Sequence, residues 1–161
     1  MKNSGNLLES FDEISRESDP LDCAFCDIKI NWKERIIEES PRTFSFYDRN
    51  SGRCKVHILI CPKKHIKNYN FLNSSDLEML LEMRQEAHRM GSKYGDGSPY
   101  RMGFHIPPFY SIKHLQLHLC IEPIYTCWSK AVTFGLNLKP LDQVIEKLEK
   151  LYPKLTIFVL S

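Results

Sequence analysis

Apolar and polar positions along the chain divide it into five strands and two helices. Five short stretches are rich in branched and aromatic residues and end at turn residues, which predicts strands. They are residues 35–40, 43–49, 56–62, 100–106 and 114–122. Residues 73–95 carry leucines and methionines at helical spacing, which predicts a long helix that Asn73, Ser74 or Ser75 can cap. A second helix is predicted to begin at Pro140.

The order of these elements indicates an α+β fold with an antiparallel sheet. The polar residues 1–20 predict a flexible tail, followed by one domain over 21–161, since 161 residues suffice for one core. The apolar residues 154–161 can pack on the domain or pair as a strand. The start lacks the apolar core of a signal peptide, and no run reaches the roughly 20 apolar residues of a membrane span. We therefore expect an intracellular, soluble protein without a membrane partner.

Charge and cysteine content narrow the function classes. A formal net charge of +2 is too small to indicate a nucleic-acid partner by itself. Six cysteines in an intracellular chain favour free thiols or metal ligands over disulfides.

The stretch "HLQLHL" alternates polar and apolar residues. Because side chains of a strand alternate between faces, Leu115 and Leu117 should face the core, and His114, Gln116 and His118 a pocket or solvent. The alternative is an ordinary wet face of an amphipathic strand.

The stretch "CAFC" gives Cys23 and Cys26 the spacing of a zinc knuckle. No second pair lies nearby in the sequence, so further ligands would come from distant segments. The alternative is two cysteines packed near the core.

"HLQLHL" resembles the motif of the histidine-triad (HIT) superfamily, in which three histidines alternate with apolar residues. The stretches "CAFC", "PKKHI" and "RMGFHIPPFYSIKHLQLHL" extend the resemblance, over residues 22–152, to the third branch of the Hint nucleotide-binding proteins. This resemblance implies a HIT-like fold with a five-stranded antiparallel sheet, one long central helix and a C-terminal helix. It also implies a homodimer in which two sheets join into ten strands. "RMGFH" resembles aprataxin, a DNA-deadenylating HIT protein, less closely.

The middle histidine of that family attacks phosphorus and forms a nucleotidyl-histidine intermediate. This chain has Gln116 there, and a carboxamide nitrogen is no nucleophile because its lone pair is delocalised. Loss of a nucleophile costs up to about 10⁶ in rate in other covalent enzymes, so hydrolysis should be weak or lost. Gln116 can still donate an N–H to a phosphate oxygen. His118 keeps the third triad position, and Ser111 matches a serine near the phosphate, or is an ordinary turn residue.

The resemblance also implies a purine nucleoside monophosphate such as AMP as ligand. Asp48 matches the acidic residue that binds the ribose, or forms an Asx turn. Phe25, Ile28 and Phe46 match base-contacting positions, or are plain core residues. Gly103 stands where the first Hint branch has an asparagine at the phosphate, so that contact is missing.

Some relatives within the superfamily bind a structural zinc ion. Mapped by motif, its ligands here would be Cys23, Cys26, His57 and His114, a closed tetrahedral set. The stretch "CPKKHIK" at the end of the third predicted strand contains Lys63, Lys64 and His65. We interpret it as a solvated loop rather than as a basic phosphate-binding surface. His105 lines the pocket entrance or caps a turn.

Four functions follow from these patterns. The favoured one is a purine-nucleotide binder of the adenosine 5′-monophosphoramidase lineage with impaired catalysis. The second is a working enzyme of low activity, in which water attacks directly or His118 substitutes. The third is a non-enzymatic interaction module. The fourth, an aprataxin-like DNA deadenylase, is weaker because the charge is nearly balanced.

Overall fold

The computed structural model describes residues 23–49, 54–107, 112–124 and 138–153. The predicted tail at 1–20 and the apolar stretch 154–161 lie outside them. The strands are β1 (Ile36–Glu39), β2 (Thr43–Tyr47), β3 (Cys54–Pro62), β4 (Tyr100–His105), β5 (Leu117–Ile124) and β6 (Leu138–Pro140). The helices are α1 (Ala24–Asn31), α2 (Leu77–Gly95) and α3 (Leu141–Leu151).

The strands form one antiparallel sheet with the order β1-β2-β3-β5-β4-β6. The predicted α+β class, long central helix and C-terminal helix are confirmed. The sheet has six strands among the described residues, one more than the sequence predicted. None of the described helices is long and apolar enough to cross a membrane.

The central strand β3 is apolar on both faces because both faces of the sheet are covered. Ile58 and Ile60 belong to the larger core, which α2 and α3 complete on one face. Leu59 and Cys61 belong to a smaller core under α1 on the opposite face. The candidate site lies on this second face.

Helix α2 follows a capped turn, as the sequence predicted. The Asn73 side chain accepts from the Ser75 N–H, and the Asp76 side chain accepts from the Asn73 N–H, at 2.9 Å each. This capping box begins a 3-10 turn at Ser74–Asp76 that leads into α2. The helix ends at Gly95, and Asp96 adopts the left-handed conformation.

Two elements are not predicted by the sequence pattern because both are short. Helix α1 has eight residues of mixed polarity and is capped by Cys23, whose sulfur accepts from the Cys26 N–H. Strand β6 has three residues and pairs with the outer edge of β4. A Cβ on Gly103 would lie 2.7 Å from the Lys139 carbonyl oxygen, so a side chain there would push the two strands apart.

Strand β5 begins later than predicted. His114 and Gln116 precede its first residue, Leu117, although both are buried. Leu115 still packs in the larger core, and its N–H donates to the Ile66 carbonyl at 2.6 Å. The polar residues of the stretch therefore face the opposite side from the leucines, as alternation predicted.

Candidate functional site

Four buried side chains from three segments meet beside β3 and are called the cysteine–histidine cluster below: Cys23, Cys26, His65 and His114. The two cysteines share one side of the first turn of α1. His65 comes from the loop after β3, and His114 from the segment just before β5. Their ligand atoms all lie within 4.8 Å of one another.

The spacing of this cluster fits a tetrahedral metal ion. The Cys23 sulfur lies 3.3 Å and the Cys26 sulfur 3.6 Å from His114 Nδ1, and the Cys26 sulfur lies 3.4 Å from His65 Nδ1. Ordinary Zn–S and Zn–N bond lengths give a sulfur–nitrogen edge of about 3.6 Å in a tetrahedron. The donor set therefore matches a structural zinc site of two thiolates and two imidazoles.

Hydrogen bonding and burial prepare His114 for this role. Its Nε2 lies 2.9 Å from the Pro62 carbonyl, an acceptor only, so Nε2 carries the proton and Nδ1 presents a lone pair to the sulfurs. Burial lowers the pKa of His114 to about 4. Burial, followed by repulsion from Cys23, raises the pKa of Cys26 to about 12. Burial thus favours the neutral forms of His114 and Cys26.

The structure does not place His57 with the cysteines, so the predicted ligand set needs His65 instead. His57 sits five residues before Pro62, about 17 Å along β3 at about 3.3 Å per residue. The antiparallel register brings His114 to the Pro62 end of β3, where His65 follows. His65 is only 8% exposed, so the interpretation of its loop as solvated fails for this residue. The neighbouring Lys63 and Lys64 pair with Glu39 and Asp76.

His57 instead belongs to a second group, the histidine row: Asp48, His57, His118 and His105. His57 Nε2 lies 2.9 Å from His118 Nδ1, and His57 Nδ1 lies 3.0 Å from Asp48 Oδ2. The rings of His118 and His105 face each other at 4.0 Å between centroids. Strands β3, β5 and β4 are neighbours, which aligns these side chains.

Asp48 sets the direction of hydrogen bonding in the histidine row. A carboxylate only accepts, so its proximity favours the proton of His57 on Nδ1, and His57 Nε2 then accepts from His118 Nδ1. In that tautomer the proton of His118 lies on Nδ1 and Nε2 carries the lone pair. The Asp48 N–H also donates to the His57 carbonyl at 3.0 Å, which continues the β2–β3 pairing and holds the carboxylate in place. Asp48 therefore supports His57, a contact that its predicted ribose-binding role did not anticipate.

Gln116 lies between the two groups and is 8% exposed. It lines a cavity of about 10 Å³, room for one water molecule. His105 and His114 line the same cavity, together with Lys67, Asn68 and Tyr69. The carboxamide can donate and accept hydrogen bonds there but cannot attack phosphorus.

A larger cavity of about 230 Å³ lies beside α1 and is called the α1 cavity below. The predicted base-contacting residues Phe25, Ile28 and Phe46 line it, and the rings of Phe25 and Phe46 meet edge to face at 5.2 Å. These three residues are also buried in the smaller core, so their positions agree with both interpretations, base contact and core packing. Ile112 lines both cavities, so the two cavities are adjacent.

Further residues of interest are the remaining lining residues of the α1 cavity and the other cysteines. The α1 cavity is also lined by residues that sequence reasoning missed: Trp32, Arg35 and Arg49. Ser111 lies outside the described residues, as does Cys127. Cys54 and Cys61 are buried and Cys120 is partly exposed. The ligand atoms of Cys54 and Cys120 lie within 4.8 Å of one another and of His57, a grouping that sequence spacing did not reveal.

Comparison with known protein families gives a match over most of the chain. Residues 22–132 match the family described as scavenger mRNA decapping enzyme C-term binding. The chain is 33% identical to the bifunctional adenosine 5′-phosphosulfate phosphorylase/adenylylsulfatase HINT4 of Arabidopsis thaliana, over 83% of this chain and 94% of that protein. It is 35% identical to the adenosine 5′-monophosphoramidase HINT3 of Xenopus tropicalis, over 80% of this chain and 88% of that protein.

Solved structures give the same result for the fold. A HIT family hydrolase from Clostridium thermocellum superposes with a TM-score of 0.57 at 26% identity, over 67% of this chain and 97% of that chain. A histidine triad protein from Clostridium difficile superposes with a TM-score of 0.59 at 22% identity, over 68% of this chain and 98% of that chain.

Proposed function

The chain belongs to the histidine-triad family as a Hint-type protein, and from this premise we propose that it binds purine nucleoside 5′-monophosphates such as AMP and hydrolyses phosphoramidates weakly or not at all. The relatives' names support the ligand class. Adenosine 5′-monophosphoramidase and adenosine 5′-phosphosulfate phosphorylase share one substrate feature, an adenosine carrying a 5′-phosphoryl group. A site for that common part is the simplest ligand site to expect here.

One observation carries the catalytic half of the proposal. By its place in the motif, Gln116 corresponds to the attacking histidine, and the residues around it are buried, with His57 and His118 in contact. His118 still presents the lone pair of Nε2, supported by His57 and Asp48. Such a site can hold a phosphoryl oxygen by hydrogen bonds from Gln116, yet it lacks the group that would form the covalent intermediate.

The α1 cavity supports the nucleoside half. Phe25 and Phe46 present aromatic surfaces and Ile28 an aliphatic one, which suits a flat purine without reading its polar edges closely. Ile112 borders this cavity and the small one at Gln116. The proposal therefore places the base in the α1 cavity and the 5′-phosphate on the side that faces Gln116, outside the small water-sized cavity.

We also propose that the cysteine–histidine cluster holds a structural Zn²⁺ ion. Cys23, Cys26, His65 and His114 would be its ligands, and four protein ligands leave no position for substrate. When bound, the ion supplies cross-linking rather than chemistry. These residues would connect α1 to the loop after β3 and to the segment before β5, next to Gln116.

The decisive experiment restores the missing nucleophile. A fluorogenic adenosine phosphoramidate is assayed with the native protein, with Gln116→His and with the matched control Gln116→Asn. We expect Gln116→His to raise turnover at least about a hundredfold, because losing such a group costs up to about 10⁶ elsewhere. Gln116→Asn should give no gain. Equal rates for the native and Gln116→His proteins would refute the assignment of Gln116.

The small cavity favours one second candidate, slow hydrolysis by direct attack of water. A water molecule fits beside Gln116, and the ring of His105 in the cavity wall packs on His118. In that case the native protein shows a low, steady rate that His118→Asn abolishes. A native rate that survives this substitution would exclude His118 as the base.

A further inference from the structure

Two arginines in the wall of the α1 cavity differ from every other arginine that the structure describes. Six arginines lie in the described segments, and four of them pair with carboxylates. These pairs are Arg42 with Glu78 and Glu82, Arg84 with Asp142, Arg89 with Glu38, and Arg101 with Glu122. Arg35 and Arg49 line the cavity and form no ion pair with a described residue. Their charge is therefore available to a ligand.

The remaining polar lining does not neutralise these guanidinium groups. Asp27 is the one carboxylate among the described residues of the cavity wall. Its two oxygens accept from Asn31 Nδ2 at 2.6 Å and from Trp32 Nε1 at 2.9 Å, which occupies both with neighbours on and just after α1. The wall thus carries two positive charges against one negative charge, beside an aromatic and aliphatic floor.

The position of the arginines separates this charge from the 5′-phosphate end. Gln116 and His114 line the other cavity, and neither lines the α1 cavity. Arg49 directly follows Asp48, the predicted ribose contact, at the end of β2. Arg35 ends the short turn after α1. With Asp48 as the ribose contact that the family resemblance implies, an anionic group that meets these arginines would extend from the ribose side of a bound nucleoside.

We propose that Arg35 and Arg49 form a subsite for a second phosphate on the 2′ or 3′ position of the ribose. This inference rests on the proposed function, since it presumes a nucleotide in the α1 cavity. A guanidinium group binds phosphate through paired N–H donors, and two such groups on one wall suit a dianion. The preferred ligand class is then a nucleoside bisphosphate phosphorylated at 5′ and at 2′ or 3′, rather than a 5′-monophosphate or a 5′-diphosphate.

Calorimetric titration with four adenine nucleotides tests this subsite on the full chain. Adenosine 3′,5′-bisphosphate and adenosine 2′,5′-bisphosphate carry as many phosphates as ADP, and AMP is the common reference. We expect at least one bisphosphate to bind about tenfold more tightly than both ADP and AMP, since hydrogen bonds between charged groups are among the stronger ones. The preferred isomer identifies which ribose oxygen carries the second phosphate.

Matched variants show whether Arg35 and Arg49 cause the preference for a bisphosphate. Arg35→Gln combined with Arg49→Gln should remove the bisphosphate preference, because bisphosphate affinity should fall at least about tenfold further than AMP affinity. Arg101→Gln, which breaks an ion pair on β4 away from the cavity wall, should keep the preference. Unchanged thermal melting of each variant verifies folding.

The other outcomes separate this inference from the proposed function. If AMP binds and neither bisphosphate binds more tightly than ADP, the subsite is refuted and the nucleotide site remains. A preference that persists in the double variant also refutes it, as does an equal loss of AMP binding. If no adenine nucleotide binds, the proposed function fails, and the subsite fails with it.

Discussion

The cysteine–histidine cluster and the histidine row lie on the same face of one strand pair, yet they suit different chemistry. His114 and His118 are four residues apart, and both are buried. His114 faces two thiols and a backbone carbonyl, so one ring nitrogen is fixed as a donor and the other is a ligand atom. His118 faces His57, which Asp48 orients, so it belongs to a chain of proton donors and acceptors.

The comparison shows that the groups in contact with a histidine, rather than the histidine itself, decide whether it binds metal or carries protons. Soft sulfur donors without a carboxylate favour a closed metal site. A carboxylate followed by imidazoles favours controlled protonation. The main-chain register of β3 and β5 assigns each histidine to its set, because β3 is long enough to hold one group at its end and the other near its start.

The largest effect on stability is expected from removing the proposed metal from the cysteine–histidine cluster while the histidine row stays intact. Cys26→Ser should abolish zinc binding and lower the free energy of unfolding by at least about 4 kcal/mol, because a structural zinc ion contributes directly to folding. Metal analysis and urea unfolding measure both effects. His57→Gln is the matched control and should keep its zinc. Zinc retained by Cys26→Ser would contradict the cysteine–histidine cluster as the metal site. Zinc lost from His57→Gln would contradict the choice of His65 over His57 as a ligand.

A smaller effect is expected from pH on the free energy of unfolding of the metal-free protein. Burial lowers the pKa of His114 to about 4 in the folded state, whereas an unfolded histidine has a pKa of about 6.5. Between these values the unfolded state binds more protons, so stability falls as the pH falls, by about 3 kcal/mol in total. Burial also lowers the pKa of His65, which acts in the same direction.

Urea unfolding with a chelator between about pH 4 and pH 7 measures this dependence, with a stabilising osmolyte in every sample. His114→Asn provides the reference and should show a much flatter profile. A native profile as flat as that of the variant would show that His114 titrates normally in the folded state.

The smallest effect should come from the histidine row. His57→Gln removes the imidazole between Asp48 and His118, so His118 loses its orientation. We expect AMP affinity to fall about tenfold, with zinc content unchanged, because an indirect contact to a charged ligand is lost. Cys120→Ser, at the position paired with His57 on β5, should bind AMP normally. Unchanged AMP affinity in His57→Gln would exclude the row from the ligand site.

The sequence predicted the elements well and their contacts unevenly. Periodicity identified five strands and both long helices, and alternation separated Leu115 from Gln116, because these features depend on nearby residues. The sequence predicted His57 as the fourth ligand, whereas His65 lies with the cysteines, because a motif does not show which end of β3 meets His114. The free charge of Arg35 and Arg49 could not be predicted, since pairing of a surface arginine depends on carboxylates far away in the chain.

Strand β6 has a consequence for self-association. It covers Gly103, Phe104 and His105, the outer edge of β4, and an uncovered edge is where a second sheet would add. A ten-stranded homodimer built on that edge would have to displace β6 or exchange it between subunits. The short strand therefore covers this edge within its own domain, and a dimer formed through the edge would require β6 to leave β4.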